Sequence, residues 1–327
     1  MSVRDRIDPE VRAALDAYLE IVGPRGLSGI ADLHLRRKTY DEMAVAAQGP
    51  DTFTGIELED AVVAAGGVRV RIYRPVGLTR PLPGILYIRG GGLLIGSFDS
   101  DDAPAAAMAR VQRAVVVAVD YRLAPEHQYP AAVDDCYAAL TWLFEHSTEL
   151  RVDPSMIAVY GTSAGGGLAA ATTLMARDRG GPRVRWQMLV YPMLDDRSVT
   201  PSSHVNTGFG AWSREANLFA WRSYLGDAYG TDDVEPYAAV ARAKDLAGLP
   251  PTYVDVGELD LFRDEDVDFA WRLMKADVDV ELHVHPGGIH NGEGWAPTSE
   301  YGTRVLGYRR DAMWRALHAV DRSTSDR

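Results

Sequence analysis

The stretch YGTSAGGG at 160–167 constrains this chain more tightly than any other. It follows the apolar run IAVY directly and leads straight into a stretch of helical spacing, 164–177. A serine flanked by Gly161 and Gly165 at such a junction implies a sharp strand-to-helix turn, with no room for side chains beside it. That turn would hold Ser163 in a strained conformation, and the helix behind it would aim its first amides and its dipole at any developing negative charge. Five residues of the form Gly-x-Ser-x-Gly recur by chance, so the alternative is a glycine-rich turn with an incidental serine. The strand before and the helix after favour the specific reading.

The rest of the chain reads as the sheet that would carry such a turn. From about residue 54, TGIELEDAVV and VRVRIYRP alternate as half-exposed strands do, and Gly66-Gly67 between them signals a hairpin. GILYI, AVVVAVDY, IAVYG, WQMLVYP and PTYVDVG are continuously apolar and bounded by turn residues, as strands buried on both faces of a parallel sheet are. Helical stretches separate them, clearest at 131–145, 164–177 and 263–275, with a late strand near 278–286 and a closing helix near 299–320. Ahead of the sheet, 9–22 has helical spacing with a proline at its start, and a weaker helical stretch lies near 31–47. The expected fold class is α/β, a mostly parallel central sheet flanked by helices. A chain of 327 residues with 46% hydrophobic content has ample core for it.

Residues 196–248 interrupt the alternation. They hold no strand pattern but place Trp212, Phe219, Trp221, Tyr224 and Tyr229 at roughly helical spacings. They read as a pair of helices packing aromatics onto the core, or as an insertion lying over the strand ends as a lid. The expected organisation is N-terminal cap helices over 1–50, a catalytic domain over 51–195 and 249–327, and a cap insertion over 196–248.

A serine becomes a nucleophile only with a base beside it, and the base needs an orienting acid. Downstream, HVHPGGIH offers His283, His285 and His290. His283 and His285 alternate within a strand pattern and read as structural, whereas His290 lies in a loop beyond the strand end, within reach of a serine. Their spacing matches no zinc motif, and no cysteine lies near, so no metal is expected. For the acid, GELDLFRDED follows a strand; Asp260 sits in the loop and Glu258 is the second candidate. Asp264, Glu265 and Asp266 fit the first turn of the next helix, where carboxylates complement the dipole. The order Ser163, Asp260, His290 is that of an α/β-hydrolase. Gly90-Gly91-Gly92 then falls where such enzymes place an amide-donating loop, and close approach of a substrate oxygen explains the bare backbone.

These segments together resemble the hormone-sensitive-lipase family of bacterial esterases, the family IV carboxylesterases. RGGGLLIGS at 89–97, DYRLAPEHQYPAAVDD at 120–135, DPSMIAVYGTSAGG at 153–166, GELDLFRDE at 257–265 and HPGGIH at 285–290 carry the resemblance. It implies an α/β-hydrolase fold with a helical cap and hydrolysis of short-chain acyl esters without a cofactor. It also implies Ser163 as nucleophile, His290 as base, Asp260 as orienting acid, and an oxyanion hole from the amides of Gly91, Gly92 and Ala164. A homodimer through a sheet edge is a further implication. Two departures stand out. Arg89 replaces the histidine that braces the glycine loop, and either braces it otherwise, through Asp99, Asp101 or Asp102, or selects anionic substrates. Asn291-Gly292 follows His290 where Gly-Phe is more usual.

Charge and cysteine usage narrow the setting. A net charge of −12 argues against nucleic acid or anionic membrane as partner and leaves a small-molecule ester. The N-terminal MSVRDRIDPEVR lacks a secretory apolar region, and Cys136 is the single cysteine, so a cytoplasmic setting is expected. An amide or other acyl hydrolase on the same triad, or a small-ligand receptor that has lost catalysis, are the rival readings.

Overall fold

The computed structural model describes residues 2–63, 66–205 and 211–318. Its strands are β1 (Ile56–Val63), β2 (Val68–Pro75), β3 (Leu82–Ile88), β4 (Val115–Asp120), β5 (Val152–Thr162), β6 (Trp186–Val190), β7 (Thr252–Gly257) and β8 (Val280–His285). They form one sheet in the order β1-β2-β4-β3-β5-β6-β7-β8. β1 and β2 pair antiparallel to each other, β2 pairs antiparallel to β4, and every later pairing is parallel. The helices are α1 (Pro9–Val22), α2 (Leu33–Ala46), α3 (Phe98–Gln112), α4 (Ala131–Glu145), α5 (Ser147–Leu150) and α6 (Ala164–Asp178). They continue with α7 (Pro201–Val205), α8 (Arg214–Leu225), α9 (Arg263–Lys275), α10 (Gly292–Trp295) and α11 (Glu300–His318).

The uninterrupted apolar runs become the inner strands for the reason their composition implies. β3, β6 and β7 are buried along their whole length, because helices cover both sheet faces. One core packs α4, α6, α8 and α9 onto the sheet through Leu140, Leu168, Trp221 and Phe269. The other packs α3 and α11 through Ala105, Ala109, Met313 and Leu317. A third joins α1 to the loops after β7 and β8 through Val11, Leu15, Leu259 and Ile289. Among the described residues, no helix is long and apolar enough to cross a membrane.

Three expectations need amendment. α3 escapes a periodicity reading because its core-facing residues are mostly alanines and Pro104 lies inside it. Among the described residues of 196–248 the α-helices are unequal, a short α7 and a longer α8. In α8, Trp221 and Tyr224 are 1% exposed, while Phe219 is 44% exposed. β5 begins earlier than the run IAVYG because Val152 pairs with Leu82 across a register shift. Positions 64–65 of the hairpin, 206–210 of the insertion and 319–320 of the closing helix lie outside the described residues.

Candidate active site

Ser163 occupies the turn between β5 and α6 with φ 54° and ψ −121°, a left-handed conformation that is strained for a residue with a side chain. Two glycines permit it. A Cβ on Gly161 would stand 2.0 Å from the Gly165 carbonyl oxygen. One on Gly165 would stand 2.2 Å and 2.3 Å from the carbonyl oxygens of Ile88 and Arg89. The turn is thus pressed against the end of β3, the neighbouring strand, and so lies beside the glycine loop.

The loops after β7 and β8 bring in the partners. His290 Nε2 lies 3.0 Å from Ser163 Oγ, and Nδ1 lies 2.8 Å from Asp260 Oδ2. Asp260 is 1% exposed, and its Oδ1 accepts from the Phe262 amide at 3.0 Å. With Nδ1 donating to the carboxylate, the Nε2 lone pair faces the serine. Tyr191 and Phe262 set their ring edges against the imidazole at 4.6 Å and 5.3 Å. Glu258, the second candidate for the acid, instead accepts from the Gly287 amide and pairs with Arg6, tying the N-terminus to this loop. His285 reaches the buried Asp255, while His283 reaches Glu281, away from the serine.

The glycine loop follows β3. Among the described residues, the amides of Gly91, Gly92 and Ala164 donate to no protein acceptor. The bare backbone has a cause beyond substrate approach, because each glycine is also packed by the protein. A Cβ on Gly90 would meet Thr162, one on Gly91 the Ile95 carbonyl at 2.1 Å, and one on Gly92 the Trp212 ring at 2.2 Å. Trp212, from the segment ahead of α8, therefore lies directly over the loop. Arg37 of α2 also grips this region, donating to the carbonyls of Leu94 and Ala124.

Arg89 is 2% exposed and does not line the cavity. Its Nη1 donates to the Ile95 carbonyl at 2.8 Å and Nη2 to the Tyr121 carbonyl at 3.4 Å. The guanidinium lies over the Tyr121 ring at 4.2 Å, with Asp120 at 3.8 Å. Tyr121 in turn donates its hydroxyl to the carbonyls of Arg89 and Gly90. The expected partners Asp99, Asp101 and Asp102 are corrected. Asp99 and Asp102 accept from Arg71, and Asp101 accepts from Tyr87 and Ser100, so their hydrogen bonds go elsewhere and Asp101 acts on Arg89 through charge alone. Burial alone would lower the Arg89 pKa, but Tyr121, Asp101 and Asp120 outweigh it and keep the charge.

A cavity of about 780 Å³ opens above Ser163. The N-terminal helices face it with Tyr18, Leu27, Tyr40 and Met43, and the insertion with Ala211 and Trp212. Its far wall holds Tyr87, Asp101, Tyr160, Tyr191, Glu293 and Arg309, of which the sequence singled out Asp101 alone, and for a different role. No motif marks them as a group, since they come from six separate elements. Asn291, one of the two departures, accepts from the Tyr191 hydroxyl at 3.2 Å and so shapes this wall.

The α/β-hydrolase fold family matches residues 85–293. Carboxylesterase NlhH of Mycobacterium tuberculosis is 34% identical over 97% of this chain and 98% of its own length. Esterase LipI of the same organism is 40% identical over 78% of this chain and 80% of its own. Among solved structures, a bacterial heroin esterase is 40% identical, with a TM-score of 0.88 over 97% of this chain and 100% of that one. Esterase LipW of Mycobacterium marinum is 36% identical, with a TM-score of 0.79 over 96% of this chain and 97% of that one.

Two expected outcomes follow from this geometry. Arg89→Ala should cost roughly 2–4 kcal/mol in denaturant unfolding, because it opens a buried gap and orphans two carbonyls. kcat/KM should then fall by the same factor on neutral and acid-bearing esters; a tenfold selective loss on the latter would make Arg89 a substrate-binding residue. The second concerns Asp266, which is 0% exposed and whose carboxylate oxygens have no partner among the described residues. Burial, with Glu265, Asp260 and Asp255 nearby, pushes its pKa well up. Above about pH 4 the unfolded chain ionises this group while the folded one keeps the proton, so stability falls as pH rises, by up to about 1.4 kcal/mol per unit. Asp266→Asn should flatten that slope in urea unfolding from about pH 4 upward, and an unchanged slope would refute the assignment.

Proposed function

The chain belongs to the hormone-sensitive-lipase branch of the α/β-hydrolase family of carboxylesterases, and from that premise we propose that it hydrolyses short-chain carboxylic esters through an acyl-enzyme on Ser163. The carrying observation is the unbroken hydrogen-bond chain from Ser163 Oγ through His290 to Asp260, opening onto the cavity.

In the first half-reaction Ser163 Oγ attacks the acyl carbonyl while His290 Nε2 takes its proton. Charge gathers on the carbonyl oxygen, which rests on the amides of Gly91, Gly92 and Ala164. The imidazolium, steadied by the buried Asp260 carboxylate, returns the proton to the leaving alcohol. Water then enters; His290 takes its proton, hydroxide adds to the acyl carbon, and the acid leaves as Ser163 regains its hydrogen. All of these groups belong to the protein. α1, α2 and the segment around Trp212 serve as the cap that bounds the cavity on the solvent side.

The triad assignment predicts that Ser163→Ala or His290→Ala lowers kcat by several orders of magnitude with the fold retained by circular dichroism, and that the double variant loses little more. Asp260→Asn should cost less, and a larger loss from Glu258→Gln would move the acid there. Labelling of Ser163 by a fluorophosphonate probe separates an enzyme from a ligand receptor, and matched p-nitroanilides separate esterase from amidase.

Acyl chains should gain about 0.8 kcal/mol per buried methylene until the cavity ends. A volume of about 780 Å³ shared with the alcohol group favours short chains, so p-nitrophenyl ester kcat/KM should decline beyond roughly eight carbons. Efficient turnover of emulsified long-chain triglyceride would contradict this. We also place the enzyme in the cytoplasm, in keeping with its single buried Cys136, and infer a homodimer through an edge of the sheet; cell fractionation and sedimentation velocity test the two.

A further inference from the structure

Tyr191 has a conformation that its place in the sheet does not call for. It follows β6 directly with φ 35°, a left-handed backbone that is a genuine outlier for a bulky aromatic residue. Met188 and Val190 pack into the core that holds α3 and α11, and Leu189 packs into the core on the opposite face. Strand alternation would return Tyr191 to the side of Leu189. It packs with Val190 instead, because the left-handed residue breaks the alternation. The turn is held on both flanks. The Tyr191 amide donates to the Asp255 carbonyl at 2.7 Å, and the Val190 carbonyl accepts from the Ser163 amide at 2.8 Å. Strain of this kind persists only where the surroundings over-determine it, and it concentrates at functional sites.

The redirected side chain is gripped in three ways. Its ring packs against the His290 imidazole at 4.6 Å. Its hydroxyl donates to Glu293 at 2.9 Å and lies 3.2 Å from Asn291 Oδ1, so it ties down two residues just beyond His290. The Arg309 guanidinium lies over its ring at 5.3 Å, and the same arginine donates to Glu293 and Asp255, both at 2.6 Å. Burial and the Glu293 carboxylate raise the Tyr191 pKa well above its usual value, so the hydroxyl remains a donor. His290 needs this support, because it lies between β8 and the four-residue α10 and no long element carries it. Its hydrogen bonds to Asp260 and Ser163 engage the two ring nitrogens but do not by themselves fix the tilt of the imidazole plane.

We propose that Tyr191, locked by Glu293 and Arg309, is a positioning residue for His290: it sets the plane of the imidazole so that Nε2 meets the Ser163 proton. The proposal rests on the esterase reading and adds residues that act on the reaction through the base. Tyr191 grips both the ring and the short stretch of chain that carries it, and the ion network behind holds Tyr191 in its strained conformation.

Tyr191→Phe keeps the ring and removes the hydroxyl anchor. kcat for p-nitrophenyl acetate, butyrate and hexanoate should fall about tenfold, by one common factor and with KM within about twofold, because a misplaced base forfeits part of what it supplies whatever the acyl group. A residue that only lined the cavity would instead shift KM with acyl length. Glu293→Gln should produce a similar loss, and the double variant should lose no more than the worse single one, since both act through one contact. A kcat loss below about threefold in Tyr191→Phe, a loss that changes with chain length, or losses that multiply in the double variant would each overturn the proposal. Should Glu293→Gln misfold, the isosteric Tyr191→Phe decides alone. The rate at which a fluorophosphonate phosphonylates Ser163 frees the test from the choice of ester, because that reaction also needs His290 as base. It should fall about tenfold in Tyr191→Phe, and an unchanged rate overturns the positioning role. A parent enzyme that is labelled but hydrolyses none of the three esters removes the esterase reading, while the ratio of labelling rates still decides what Tyr191 does.

Discussion

The contact on which this structure turns is the crossing of α6 over the ends of β3 and β5, where Gly161 and Gly165 let backbone meet backbone. Any side chain at either glycine would strike a carbonyl oxygen at about 2 Å. The closeness has a functional consequence. It holds Ser163 in a left-handed conformation, and it sets the first amide of α6 beside the loop that continues from β3. Ser163 and the amides of the glycine loop are therefore positioned by one packing event. β3 and β5 are neighbours in the sheet although three helices and a strand separate them along the chain, and that adjacency makes the site possible.

Two buried braces keep this arrangement rigid. Arg89 fills the space under the glycine loop and satisfies the carbonyls of Ile95 and Tyr121, while Tyr121 satisfies those of Arg89 and Gly90. An arginine can do this because all its hydrogen-bonding capacity is donor and every partner offered here is a carbonyl oxygen or a carboxylate. On the other side, Asp255, Arg309 and Glu293 form an ion network beneath Tyr191, whose ring edge supports His290. Such a network costs desolvation and rewards it only when complete. Here it also places the Glu293 carboxylate and the Arg309 guanidinium together on the cavity wall.

Much of the layout was legible in the chain. Continuous apolar runs specify strands buried on both faces, and glycines at 161 and 165 specify a turn that tolerates no side chain. The loop positions of Asp260 and His290, beyond strand ends, put them within reach of each other because β7 and β8 pair in parallel. α3 was not legible, since alanines and an internal proline carry little periodic signal. The segment 196–248 was read as helical, which α8 agrees with, but the fate of each side chain in it was not legible. Its aromatics look alike in sequence, yet Trp221 is core, Phe219 faces solvent and Trp212 covers the glycine loop.

By itself, then, the sequence determined the strand–turn–helix holding Ser163, the loop positions of Asp260 and His290 and the fold class. Each depends on local backbone limits or on short-range alternation of apolar residues. The tertiary structure alone decided what Arg89 touches, that each loop glycine is packed by a protein neighbour, and that Tyr87, Asp101, Tyr160, Tyr191, Glu293 and Arg309 share one wall. Those facts depend on which strand ends and helix faces meet in space. A side chain's partners in a cavity are set by the folding together of distant segments, and no local spacing in the chain encodes them.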